Sequence, residues 1–113
     1  MKETIIRKSL LSAVLDPSKI TSRVEIKQID FKPSQETGLH FHPCPVVGHI
    51  ASGSALLQIE GEPARILFTG DAFLEPANTR ILHFDNASAT DPMTFIAFYL
   101  LSEDEYELIR MLD

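Results

Sequence analysis

Apolar and polar positions alternate along most of this chain, and turn residues break the alternation at short intervals. "RVEIKQIDF" (23–31) sets Val24 and Ile26 against Arg23, Glu25 and Lys27, the period-two pattern of a half-buried strand. Two polar residues adjoin at Lys27-Gln28, which predicts a bulge there. "VVGHIAS" and "ALLQIE" flank Ser52-Gly53-Ser54 and predict a hairpin. "ARILFT" and "DAFLE" flank Gly70, another tight turn. "RILHFDN" and "MTFIAFYLL" supply two more strands, the second apolar nearly throughout, as a strand buried on both faces would be. Turn clusters such as "KPSQETG", "HPCP", "EGEP", "EPANT" and "DNASATDP" recur roughly every 8–12 residues, which predicts an all-β sandwich or barrel.

The two ends read differently. Residues 4–15 could be an amphipathic helix or an edge strand, and Ile5, Ile6, Leu10, Leu11 and Val14 fit neither template well, so residues 1–20 are set apart as an N-terminal segment that could serve as an edge or exchanged strand. Ser102 followed by Glu105 is a capping-box pattern, and Tyr106, Ile109 and Leu112 repeat at three-residue spacing. A short helix is expected over 102–113, with the barrel occupying 21–101.

Composition narrows the function classes. The 113 residues make one domain of ordinary globular make-up, 44% hydrophobic and 23% charged. The net charge of −6 argues against nucleic acid, whose binding rests on Lys and Arg neutralising phosphates. A single cysteine, Cys44, excludes an internal disulfide and suggests a reducing, cytoplasmic setting. No apolar run is long enough to span a membrane as a helix, and "MKETIIRKSLLSAVL" lacks the pattern of a signal peptide.

The candidate chemistry is concentrated in "GLHFHPCPVVGHIASG". On a strand, His40 and His42 point to the same side and present two imidazoles to one place. Neutral imidazoles are common ligands for zinc, nickel, iron or manganese. A lone H-x-H is a weak signal, since chance, a surface pair or a core pair explains most instances.

The wider pattern resembles the cupins, a family of small double-sheet jelly rolls. Their first motif runs G-x5-H-x-H-x3-4-E-x6-G and their second G-x5-P-x-G-x2-H-x3-N. Here Ser34 stands at the first glycine, His40 and His42 at the histidines, Val46 at the glutamate and Gly53 at the closing glycine. In the second motif Gly70 and Pro76 match, Asn78 takes the second glycine position, Ile81 takes the histidine position, and Asn86 lies further on. The resemblance implies a double-stranded β-helix, or jelly-roll barrel, of two antiparallel sheets over roughly residues 20–101, and it implies a homodimer. Two of the four customary ligand positions, Val46 and Ile81, carry aliphatic side chains that cannot bind a metal.

A variant site follows as an expectation. His83 lies two residues beyond Ile81 and shares its face on a regular strand, so His40, His42 and His83 are the candidate ligands of a divalent transition metal. Val46, Ile81 and Gln58 are expected to line the pocket. Glu75, like Gln58, is a polar residue in an otherwise apolar strand, and either could face the pocket or water. His49 falls on the opposite face from position 46, and Cys44, held between prolines, reads as structural. Tyr99 and Phe95 share a face of the last long strand and read as core. No residue is singled out as catalytic, and no Gly-rich phosphate loop is present. Two functions stand side by side. One is a metal-dependent protein acting on a small molecule, as an oxygenase or isomerase would. The other is a metal-free cupin that binds or senses a small, partly apolar ligand.

Overall fold

The computed structural model describes residues 3–112. Among the described residues nine strands run in chain order: β1 (Arg23–Phe31), β2 (His40–Phe41), β3 (Val46–Ser52), β4 (Ser54–Ile59), β5 (Arg65–Phe68), β6 (Ala72–Glu75), β7 (Ile81–Asn86), β8 (Met93–Leu101) and β9 (Arg110–Met111). They form two antiparallel sheets, ordered β1-β8-β3-β6 and β5-β4-β7-β2-β9. The alternation in sequence is the cause. Along β8 every second residue from Met93 to Leu101 is buried and the intervening ones are half-buried, so one face of the strand meets the opposing sheet. Phe73, Phe84 and Phe95 knit the sheets together, with ring centroids 5.0 Å apart for Phe73–Phe84 and 4.5 Å for Phe84–Phe95.

The two pairs of strands expected to form hairpins or tight turns are instead corners between sheets. β3 belongs to one sheet and β4 to the other, and the chain crosses at Gly53, whose φ is +86°. A side chain there would also collide with the Pro92 carbonyl oxygen, 2.7 Å from a built Cβ. β5 and β6 likewise lie in different sheets on either side of Gly70. Sequence alone cannot separate a hairpin from a corner, because both need a sharp turn between alternating strands. The bulge expected at Lys27-Gln28 does not form: β1 pairs with β8 in unbroken register from Arg23 to Phe31. Register slips occur elsewhere, between Ile50 and Ser52 against β8 and between Gln58 and Ile59 against β7.

The ends also differ from expectation. Residues 102–112 form no helix. The Ser102 and Glu105 contacts do form, with the Ser102 amide donating to Glu105 Oε1 at 2.7 Å and the Glu105 amide to the Ser102 carbonyl at 3.1 Å, but they close a turn. The chain then extends, and β9 pairs with β2, His40 opposite Met111. A backbone ladder on the open edge of β2 wins over a weak helical pattern. Residues 3–20 form no strand within this chain, and Ile6 and Ile20 are 90% and 85% exposed.

Candidate metal centre

The site is assembled from β2, the turn that follows it and the distant end of β6. β2 is flanked by β7 and β9, which buries His40 to 2% exposure. His42 follows in the turn after β2 and is also buried. Their rings meet edge to face at 5.0 Å. The third member is Glu75, the last residue of β6, at 3% exposure. One nitrogen of each ring and one carboxylate oxygen all lie within 4.8 Å of one another. His42 Nε2 is 2.9 Å from Glu75 Oε2, and His40 Nε2 is 3.7 Å from the same oxygen.

Glu75 sits directly across β3 from Val46. The carboxylate missing from position 46 is therefore supplied one strand over, on the same rung and the same face of the sheet. The signal was in the sequence, since Glu75 is the one acid in "AFLE", a strand whose neighbours are apolar. What the sequence could not show is that β6 lies next to β3.

The other ring nitrogens fix the chemistry. His40 Nδ1 is 2.7 Å from the Gly38 carbonyl, and His42 Nδ1 is 2.8 Å from the Leu108 carbonyl. A carbonyl only accepts, so both Nδ1 atoms carry the proton. In neutral rings both Nε2 lone pairs would then face a carboxylate oxygen. That arrangement is repulsive unless positive charge lies between them, as protons or as a metal ion. The ionisation behaviour agrees. Burial alone would lower the His40 pKa, but the Glu75 carboxylate and the Gly38 carbonyl outweigh it and raise it. Burial would raise Glu75, yet the two histidines hold it below the usual carboxylate range.

The remaining expected residues fall elsewhere. His83 is 47% exposed, points away from the pair, and bonds through Nδ1 to Asp85 Oδ2 at 2.8 Å. The register slip in β7 explains this: Ile59 pairs with Ile81 but Gln58 with His83, so the alternation restarts and His83 leaves the face of Ile81. Ile81 is fully buried in the core opposite His40, and Gln58 turns outward to the Glu62 carbonyl. Val46 does line the cavity. Cys44 is buried and its thiol is pushed up to about 11, chiefly by burial, which leaves it unreactive.

The three groups open onto a cavity of about 360 Å³ walled by Ile29, Val46, Phe84, Phe95, Ala97 and Tyr99, with Glu36 and Thr37 towards one side. Comparison with solved structures places this architecture. A cupin-like protein from Thermotoga maritima superimposes with TM-score 0.66 at 25% identity, over 79% of this chain and 64% of that one. The chain is a cupin. The DMSP lyase DddQ from Ruegeria pomeroyi matches with TM-score 0.65 at 18% identity, over 78% of this chain and 42% of that one. An oxalate oxidase matches with TM-score 0.67 at 20% identity, over 79% of this chain and 46% of that one. This cupin thus spans less than half of the lyase and of the oxidase. No family model matches its sequence, and no curated protein does.

The fold accounts for the two substituted motif glycines. Ser34 and Asn78 adopt φ of +62° and +57°. Each keeps the left-handed backbone that glycine takes at low cost, and asparagine tolerates that region better than most residues.

Proposed function

We propose that this cupin holds one divalent transition metal ion through His40, His42 and Glu75 and acts on, or senses, a small molecule bound in the cavity beside it. One observation carries the reading: two Nδ1-protonated imidazoles direct their Nε2 lone pairs at a buried carboxylate. The donor set fits. Bonds of about 2.0–2.2 Å in tetrahedral geometry put ligand atoms roughly 3.3 Å apart, and the observed 2.9 and 3.7 Å straddle that value. Two histidines and a carboxylate leave coordination positions open for a ligand, and suit zinc, iron, manganese or nickel. Such an ion, when bound, supplies a Lewis acid to an oxygen of the ligand. The chain's own part is to fix both rings through Gly38 and Leu108, to offset one of the ion's two charges with Glu75, and to surround the ligand with apolar wall.

A second copy of the chain is part of the proposal. Val24 and Ile26, on the outer face of β1, are 49% and 61% exposed, and the apolar residues of the N-terminal segment are exposed with them.

The test is metal content of protein purified without a histidine tag, wild type beside His42→Ala. About one equivalent of a transition metal, lost in the variant, supports the reading. No metal in either, even after incubation with zinc, nickel, iron and manganese, leaves a metal-free ligand-binding pocket.

A further inference from the structure

Tyr99 is a buried polar group of the cavity that the proposed metal site does not use. It stands on β8 opposite Val46, so Tyr99, Val46 and Glu75 form one rung across β8, β3 and β6. The three point to the same face of the sheet. Its ring packs edge to face on His42, with centroids 5.9 Å apart. The residue is 5% exposed and lines the cavity. Among the described residues no fully shielded side-chain oxygen or nitrogen lacks a partner, and none of them bonds the Tyr99 hydroxyl, so that hydroxyl opens onto the cavity. A phenol hydroxyl keeps its proton at physiological pH and can donate to a ligand in the cavity.

The second observation is charge. Among the described residues no Lys or Arg lines the cavity, while Glu75 stands in it and the exposed Asp30 and Glu36 border it. A divalent ion with Glu75 and two neutral imidazoles leaves a net charge of about +1 in a buried place. A neutral or singly negative ligand is compatible with that balance. A dianion would leave uncompensated negative charge beside apolar walls.

We infer that the ligand is a small neutral or monoanionic oxygen donor that carries a second polar group hydrogen-bonded to the Tyr99 hydroxyl, and that dianions are discriminated against. This rests on the metal reading above. Tyr99 is then the residue that distinguishes a hydroxylated ligand from its plain analogue, since a donor left without its partner in a dry pocket costs binding.

The experiment uses cobalt(II)-loaded protein, whose visible absorption reports both the ion and what joins it. Propanoate, 3-hydroxypropanoate and malonate are titrated into wild type and Tyr99→Phe. Wild type is expected to bind 3-hydroxypropanoate about five- to tenfold more tightly than propanoate, the scale of one hydrogen bond. In Tyr99→Phe that ratio falls to near one, with the cobalt spectrum and the propanoate affinity retained. Malonate is expected to bind no more tightly than propanoate. A ratio near one in wild type, a ratio unchanged in the variant, tighter malonate binding, or loss of cobalt from Tyr99→Phe would each overturn the inference. Wild type that takes up no cobalt defeats the metal reading beneath it, and the absent spectrum makes that failure separately visible.

Discussion

Among the described residues two histidine–carboxylate contacts are almost equally short, and they do different things. His42 lies 2.9 Å from Glu75, and His83 lies 2.8 Å from Asp85. In the second pair the nitrogen facing the carboxylate is Nδ1, and Nε2 is left to solvent, the ring being 47% exposed. A neutral ring satisfies that contact with an ordinary N–H donor. In the first pair Nδ1–H is already committed to the Leu108 carbonyl, so the carboxylate meets Nε2 instead, and His40 repeats the arrangement through Gly38. Proximity is therefore not what marks a site. The bond made by the far nitrogen decides whether the near one needs a cation.

Removing the carboxylate is the largest break. Glu75→Ala is expected to weaken zinc binding by on the order of a hundredfold or more, beyond the effect typical of an outer-shell partner, as read by competition with a chromophoric chelator. The metal-stripped variant is expected to lose roughly 3 kcal/mol in urea unfolding, the scale of one broken buried pair. Zinc affinity unchanged by Glu75→Ala would show that the carboxylate is not a ligand.

Moving the carboxylate sharpens the comparison. Val46 and Glu75 face each other on neighbouring strands, with β-carbons about 4.5–5.5 Å apart in such pairs. The double variant Val46→Glu, Glu75→Val keeps one acid and one aliphatic side chain on the same rung. It is expected to recover zinc affinity to within roughly tenfold of wild type, against the hundredfold loss in the single Glu75 variant. Affinity as low as in Glu75→Ala would mean that the rung position itself matters.

How far the sequence revealed this follows from what each residue depends on. The alternation and turn spacing are local, so the all-β architecture and the inner face of β8 were legible from the chain, but β8 is not buried on both faces as expected, its outer face being half-buried. His40 and His42 were legible because spacing two on a strand fixes a common side. Glu75 was legible only as a polar residue in an apolar strand, because its closeness to the histidines depends on β6 pairing with β3, a long-range fact. His83 was misplaced because parity counting assumes a regular strand, and one slipped residue between the Ile81 and His83 pairings reverses it. The C-terminal helix failed for a related reason. Ser102 and Glu105 do make their local contacts, but the next residues find a strand edge to pair with.

A smaller effect follows from pH in EDTA-stripped protein. Glu75 is held below its ordinary 4.5, so its contribution is present above pH 4.5 and is lost as pH falls through the folded value. His40 is raised above its ordinary 6.5, so its contribution is present below pH 6.5 and is lost as pH rises through the folded value. The melting temperature of the stripped protein should peak between those two limits and fall by roughly a few degrees on either side. Glu75→Ala should flatten the profile. A wild-type profile that is already flat would remove the electrostatic coupling from the account.

His83→Ala is the smallest change and the sharpest control. Its ring is half exposed, so its ion pair with Asp85 is worth about 1 kcal/mol at most. Asp85 is not stranded by the loss, because its Oδ1 still accepts the Thr37 amide at 3.2 Å. No ligand atom of the proposed site touches His83, so metal content should equal wild type and urea unfolding should shift by less than about 1 kcal/mol. Loss of metal in this variant would contradict the outward placement of β7 beyond its slip. It would return His83 to the site in place of Glu75, a substitution that Glu75→Ala would then confirm by keeping its zinc.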